Sequence, residues 1–152
     1  MTEQSDSPST RDLLKSAIDR ATAGAGPVMK VNFVDDEWVM SVHELEAFWQ
    51  QHPVAGFCTV SSRGKPHVVP IEPELVDGTF TMSTFANAVR ISDLRSNSQA
   101  ALISWSGPWE VVVVYGKATI EPGEAEEMVT VRLVPSRIYC IRPPAWHHAA
   151  KA

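Results

Sequence analysis

The spacing of apolar positions along the chain changes near residue 54, from a helical period to the alternation that is typical of β-strands. Before that point, residues 11–23 carry apolar side chains at helical spacing. Ser9 or Thr10 precedes them as a candidate cap, and Gly24 follows them as a helix breaker. The pattern therefore predicts a first helix over residues 11–23.

A second helix is predicted between Ser41 and Pro53. Ser41 and Glu44 have the S-x-x-E spacing of a capping box, and the proline stops the helix. We expect this helix to lie over the sheet and cover one of its ends. Residues 28–34, which lie between the two helices, fit either a strand or a loop.

After residue 54, short apolar runs alternate with turns. Strands are predicted at residues 54–60, 66–76, 79–83, 100–105, 109–120 and, as one or two strands, 129–141. Asp77 and Gly78 form a typical hairpin turn, and a short helix is predicted over roughly 87–96. The unbroken apolar run 111–114 predicts burial on both faces of the sheet. About six hairpin-linked strands with few helices predict a mainly β protein with peripheral helices, as an antiparallel barrel or sandwich.

Composition narrows the choice of function. The 152 residues suffice for one domain with a core, and the net charge of -5 without a basic block argues against nucleic-acid binding. The chain has no apolar run of membrane-spanning length and begins without the features of a signal peptide. Cys58 and Cys140 lie in apolar runs without metal-ligand spacing, which predicts two buried thiols in a reducing compartment. We therefore expect a cytoplasmic protein without a metal site, a nucleic-acid partner or a membrane partner.

The most informative stretch is the strand-turn-helix pattern at residues 79–97. Ser83 and Thr84 end the strand, Asn87 follows, and Arg90 stands in the first turn of the predicted helix. Helix N-terminal N–H groups, hydroxyls and a guanidinium together favour an anion, and a cofactor phosphate is the anion we expect. In the simpler alternative, Asn87 only caps the helix and Arg90 is a solvated surface charge.

A second candidate segment is the strand that contains Pro66 and Pro70. Because proline cannot donate to a strand ladder, this strand is predicted at a sheet edge or bulge. The free backbone groups of such a strand can hydrogen-bond to a flat heteroaromatic ring. The alternative is an ordinary edge strand that proline protects from aggregation.

These segments together resemble a known family. Residues 56–102, GFCTVSSRGKPHVVPIEPELVDGTFTMSTFANAVRISDLRSNSQAAL, resemble the cofactor-binding half of the flavin-binding split barrels. That superfamily is named after pyridoxamine 5′-phosphate oxidase and includes the flavin/deazaflavin oxidoreductases of actinobacteria. The run VVVVYGKATIEP at 111–122 resembles the strand that follows, and the resemblance covers roughly residues 54–142. It depends on the order of G-x-P-H-x-x-P, the Asp-Gly hairpin, the hydroxyls before a basic helix start, and L-R-x-N.

The resemblance implies a six-stranded antiparallel split β-barrel that forms a homodimer with two cofactor sites at the subunit interface. The predicted layout is a disordered tail at 1–10, an N-terminal helical extension at 11–40, the split-barrel flavin-binding domain at 41–143 and a tail at 144–152.

The resemblance also implies which residues bind the cofactor. The ring of a flavin or deazaflavin is expected against His67, Val68, Val69 and Pro70. The phosphate is expected near Ser83, Thr84, Asn87 and Arg90. Trp105 and Trp109 are expected to approach the ring or the substrate from the partner subunit. Ala88 stands where many relatives carry Ser or Arg, so one expected phosphate contact is missing.

The activity that the resemblance implies is hydride transfer to or from a small organic substrate, with FMN as the first choice of cofactor and coenzyme F420 as the alternative. His67 is the candidate for a general acid. His147 and His148 are expected to be exposed and lack a third metal ligand. A protein that binds a flavin, deazaflavin or haem in the same dimer cleft without turnover is the alternative function, and a structural β-barrel that makes protein contacts is a third.

Overall fold

The computed structural model describes residues 8–33 and 37–149, with side chains at 8–30 and 37–147. These residues contain a single sheet of seven antiparallel strands. Its strand order is β2-β1-β5-β6-β7-β4-β3. The strands are β1 (Ala55–Val60), β2 (Pro66–Ile71), β3 (Glu74–Val76), β4 (Thr79–Phe85), β5 (Gln99–Trp105), β6 (Val111–Pro122) and β7 (Met128–Ile141).

The helices of the described residues lie before, between and after these strands. They are α1 (Thr10–Ala23), α2 (Pro27–Phe33), α3 (Val42–Gln51), α4 (Val89–Ser96) and α5 (Ala145–Ala149). None of these helices has the length and apolar character that a membrane span requires. Residues 1–7, 34–36 and 150–152, which belong to the predicted tails and extension, lie outside the described residues.

Local sequence signals explain the first and third helices. Ser9 forms a capping box with Asp12, and Ser41 forms one with Glu44, so both predicted helix starts are confirmed. Helix α1 packs against β7 through its buried apolar stripe. The expectation of a strand or loop at 28–34 is wrong for residues 28–33, because these residues belong to α2. Helix α5 lies within the predicted C-terminal tail.

The strand count differs from six because the predicted strand 66–76 is broken. It divides into β2 and β3, and the carbonyl oxygen of Pro73 between them accepts a hydrogen bond of 2.8 Å from the Trp49 indole. Asp77 and Gly78 have φ angles of 49° and 74°, which confirms the predicted hairpin turn. The mainly β, antiparallel fold class is confirmed.

The irregular pairing between β6 and β7 lies at Gly116. A Cβ on this residue would lie 2.1 Å from the backbone oxygen of Val134, so the close approach of the two strands requires glycine. Pro135 pairs with Gly116 at this point and is buried. The predicted one or two strands at 129–141 are therefore one long strand, β7, with an irregular register.

The two faces of the sheet differ in how well the chain covers them. Val112 and Val114 on the inner face are 0% exposed, whereas Val111 and Val113 on the outer face are only half-buried. The prediction of two-sided burial at 111–114 is wrong for the single chain, because no described element covers their outer side completely. Cys58 also lies on the outer face and is only half-buried, against the prediction of a buried thiol.

Cys140, in contrast, is buried as predicted. Burial raises the pKa of its thiol to about 12. This residue behaves as a small apolar side chain of the core.

Candidate functional site

Helix α4 connects the two segments that the sequence marks as candidate binding sites. It packs through Ile91 and Leu94, and two polar side chains, Arg90 and Asp93, lie three residues apart on it. Arg90 reaches β4 near one edge of the sheet, and Asp93 reaches β1 and β2 at the other edge. A short helix thus joins the predicted phosphate end to the predicted ring end.

The Arg90 end contains donors that the chain does not use. Nη2 of Arg90 donates to the buried hydroxyl of Thr84, whereas Nε of Arg90 is buried and has no partner among the described residues. The N-cap of α4 is Ala88, whose side chain makes no capping hydrogen bond. A guanidinium N–H and a helix N-terminus without a side-chain cap fit an anionic group such as a phosphate.

Two predicted phosphate residues do not join this cluster. Side chains alternate along β4, so Thr84 is buried on the inner face and Ser83 is exposed on the outer face. Asn87 is exposed and precedes Ala88, so the alternative in which Asn87 caps the helix is wrong. Thr84 and Arg90 are therefore the predicted pair that the structure brings into contact.

The Asp93 end is a closed network of hydrogen bonds. Oδ2 of Asp93 accepts a bond of 2.8 Å from the Thr59 hydroxyl and lies 2.6 Å from Nδ1 of His67. Asp93 is 4% exposed and Thr59 is 1% exposed, whereas the His67 side chain is 30% exposed. The network places the predicted residue His67 beside a carboxylate that sequence reasoning missed.

The network also holds Asp93 in its charged form. Burial acts to raise the pKa of this carboxyl, but the hydrogen bonds from His67 and Thr59 and the attraction of His67 outweigh it. The pKa of Asp93 therefore lies below its ordinary value. A sequence signal for this residue existed: Asp93 stands between Ile91 and Leu94, at an apolar helix face where a carboxylate requires partners.

The predicted ring-binding strand, β2, lies at the edge of the sheet and pairs with β1 on one side only. Its position confirms the prediction of an edge strand that Pro66 and Pro70 made. Side chains alternate here too: Val68 is 64% exposed on the outer face, and Val69 packs against the core. The free edge leaves backbone groups available to a ligand.

A cavity of about 1000 Å³ lies between α1, α2 and the outer face of β6 and β7. Apolar and aromatic side chains such as Val113, Tyr115 and Tyr139 line it, together with the cationic side chains of Arg20 and Arg137. Trp109 also lines this cavity and contacts the Trp38 ring edge-on at 6.4 Å between centroids. Sequence reasoning did not predict this cavity, because it depends on how the N-terminal helices lie on the sheet.

Trp105 lies at the end of β5 and is 61% exposed. It lines a shallow depression with Ile103 and Val111, beside the cavity that contains Trp109. The two tryptophans therefore stand on the same outer face, and both are far more exposed than the core.

The histidines near the C-terminus differ from expectation. His147 is half-buried and packs edge-on against Trp38, with 5.2 Å between ring centroids, so the prediction that it is exposed is wrong. The side chain of His148 lies outside the described residues. Within the described part of the chain, no group of three or more His, Cys, Asp or Glu residues could hold a metal ion.

Comparison with known proteins identifies a family and a fold. The family model described as pyridoxamine 5′-phosphate oxidase matches residues 41–150, which is more than half of the chain. A search of curated proteins finds no match. The split-barrel family inferred from the sequence resemblance is therefore confirmed.

Solved structures with the same fold carry different names. The conserved hypothetical protein Rv2991 from Mycobacterium tuberculosis is similar with a TM-score of 0.62 and 18% identity, over 70% of this chain and 88% of that one. An F420 reductase is similar with a TM-score of 0.52 and 13% identity, over 56% of this chain and 87% of that one. The heme storage protein HutZ from Vibrio cholerae is similar with a TM-score of 0.57 and 13% identity, over 65% and 93%. Identities this low show a shared fold alone.

Proposed function

Because the chain belongs to the pyridoxamine 5′-phosphate oxidase family, we propose that it is a cytoplasmic oxidoreductase that binds FMN, or coenzyme F420, along α4 and β2. The observation that carries this proposal is the buried Nε of Arg90 beside the N-terminus of α4, which has no partner among the residues that the structure describes. Leaving a buried donor unsatisfied costs about 1–3 kcal/mol, and a phosphate oxygen would remove that cost. The Arg90 end therefore has a physical reason to bind an anion.

The residues of the chain would share the work of binding. Arg90 would pair with the phosphate while Thr84 fixes its guanidinium. Ser83 and Asn87, which are exposed and lie outside this pair, would supply polar contacts to other parts of the cofactor. The backbone of residues 67–70, on the free edge of β2, would hold the ring. Hydride transfer to or from a small organic substrate is the chemistry that a bound flavin or deazaflavin supplies.

The proposal includes a homodimer in which the outer face of the sheet forms the interface. Val68, Trp105 and Tyr115 expose 64%, 61% and 47% of their surface on this face. An exposed apolar surface of this kind favours a partner, and a second copy would also complete the burial of Val111 and Val113. The cofactor sites would then lie at the interface, with Trp105 and Trp109 of each subunit close to the site of the other.

The choice between FMN and F420 follows from a titration. The absorbance spectrum of the freshly purified protein, and binding curves for FMN, F420 and haem, separate the three ligands. We expect FMN, or in its place F420, to bind with micromolar or tighter affinity. Binding of haem alone, or of none of the three, would contradict the proposed function.

A second candidate is a protein that binds its ligand without turnover. The large, mainly apolar cavity favours it, because its described lining includes no histidine or carboxylate that could exchange a proton near neutral pH. The polar residues of that lining are Arg20, Tyr115, Ser136, Arg137 and Tyr139. A relative of the same fold is named as a heme storage protein. Cofactor or haem that binds, yet is neither reduced nor oxidised by small organic substrates, would favour this candidate over the oxidoreductase.

A further inference from the structure

We propose that Asp93 is a positioning residue, which fixes the His67 ring so that Nε2 of His67 presents its lone pair to a ligand held on β2. The ligand part of this assignment rests on the proposed function. Nothing in the family resemblance marks Asp93, and the position follows from three side chains that meet between α4, β1 and β2.

The hydrogen bonds determine which ring nitrogen carries the proton. An ionised carboxylate only accepts hydrogen bonds, so Nδ1 of His67, 2.6 Å from Oδ2 of Asp93, must donate. A neutral imidazole with its proton on Nδ1 has its lone pair on Nε2. The chain therefore selects the tautomer in which Nε2 accepts an N–H or O–H from a ligand.

The carboxylate is itself held in place. Thr59 donates to the same oxygen, Oδ2, over 2.8 Å, and Thr59 lies directly opposite His67 across the β1–β2 ladder. Asp93 and Thr59 are both buried, so the three side chains form a closed network with one set of rotamers. The Nε2 atom of His67 has no partner among the described residues, and the ring is the exposed member of the network.

Helix α4 links this network to the phosphate end. Arg90 and Asp93 stand three residues apart on it, so a phosphate bound by Arg90 and a ring at His67 would be held by the same rigid element. Asp93 thereby sets the distance and orientation between the two halves of the ligand site.

The first experiment measures the tautomer in the free chain. Long-range proton–nitrogen NMR spectra of the ¹⁵N-labelled protein, at a pH where histidine is neutral, distinguish the two forms, and His67→Gln assigns the signal. We expect the Nδ1–H form in the wild type. In Asp93→Ala, the Nδ1–H group of His67 loses its acceptor, so the Nε2–H form is expected to appear. Asp19→Ala, which removes an exposed carboxylate on α1, is the matched control and should leave the wild-type form.

A wild-type ring in the Nε2–H form, or a tautomer that Asp93→Ala does not change, would overturn the proposal. This measurement needs no ligand, so it decides the role of Asp93 even if the cofactor assignment fails.

The second experiment measures FMN or F420 binding in variants of the same two residues. We expect Asp93→Ala and His67→Ala each to weaken binding about tenfold, which corresponds to one hydrogen bond. The double variant should lose no more than either single variant, because both changes remove the same Nε2 acceptor. Independent, multiplying losses would overturn the positioning role. Absence of binding by the wild type would instead overturn the proposed function, and the tautomer result would still decide the role of Asp93.

Discussion

The two polar ends of helix α4 differ in whether the chain completes them. At the Asp93 end, the buried carboxylate oxygen receives both Thr59 and His67. At the Arg90 end, a buried donor has no partner among the described residues, and the helix N-cap has no side-chain hydrogen bond. A completed buried network stabilises the fold, whereas an incomplete one indicates what the protein binds.

Among the variants that test the difference between the two ends of α4, Asp93→Ala has the largest expected effect. Removing the carboxylate leaves a buried hydroxyl and an imidazole nitrogen without their acceptor, so we expect the free energy of unfolding to fall by about 2–3 kcal/mol. Urea denaturation measures it. Arg90→Ala should cost less, about 1 kcal/mol in the free protein, because it removes the single hydrogen bond from Nη2 to the Thr84 hydroxyl, whereas Asp93→Ala removes two. Equal losses at the two ends would remove the distinction between them.

Truncation of Trp105 tests whether a second subunit covers the apolar outer face of the sheet that the single chain leaves exposed. We expect Trp105→Ala to weaken self-association about tenfold or more, since large aromatics dominate interface energies. Sedimentation velocity over a range of protein concentrations measures the effect. Trp49→Phe, a change inside the core, serves as the control for altered packing. A wild-type chain that is monomeric at all concentrations would argue against the interface.

Acid should selectively weaken the hydrogen-bond network at the Asp93 end of α4. The pKa of Asp93 is lowered in the folded state by its hydrogen bonds, so its ionised form stabilises the fold above the unfolded-state value of about 3.9. This contribution is lost as the pH falls through the folded-state pKa. The stability difference between wild type and Asp93→Asn should therefore shrink below about pH 4. A difference that stays constant from neutral pH to pH 3 would contradict the lowered pKa.

The smallest effect is expected when a side-chain cap is added at the N-terminus of α4, near Arg90. Ala88→Ser places a hydroxyl at the N-cap of α4 and should raise the free energy of unfolding by about 1 kcal/mol. Ala23→Ser, at the exposed C-terminal end of α1, should bring no gain. If Ala88→Ser does not stabilise the free protein, the N–H groups at the start of α4 are already satisfied.

The sequence predicts best what depends on neighbouring residues. The capping boxes at Ser9 and Ser41, the Asp77–Gly78 turn and the meeting of Thr84 with Arg90 all arise within a few residues of each other. Strand alternation then sends Ser83 to the opposite face from Thr84, which a count of hydroxyls near a helix start does not reveal.

Contacts between segments that are distant in the sequence could not be predicted from local patterns. Asp93 lies 26 residues from His67 and 34 from Thr59, and only the curl of the sheet and the packing of α4 bring them together. The apolar run 111–114 shows a related limit. Its pattern predicts burial on both sides, but a pattern does not say whether the cover comes from the same chain or from a partner.

The most direct test of the central claim compares FMN with riboflavin, which carries the same ring without the phosphate. If Arg90 and the start of α4 bind the phosphate, the wild type should prefer FMN by about tenfold or more, as expected for a charge-assisted hydrogen bond. Arg90→Ala should abolish that preference and leave riboflavin binding unchanged. Equal affinity of the wild type for both ligands, or an FMN preference that survives in Arg90→Ala, would contradict the account.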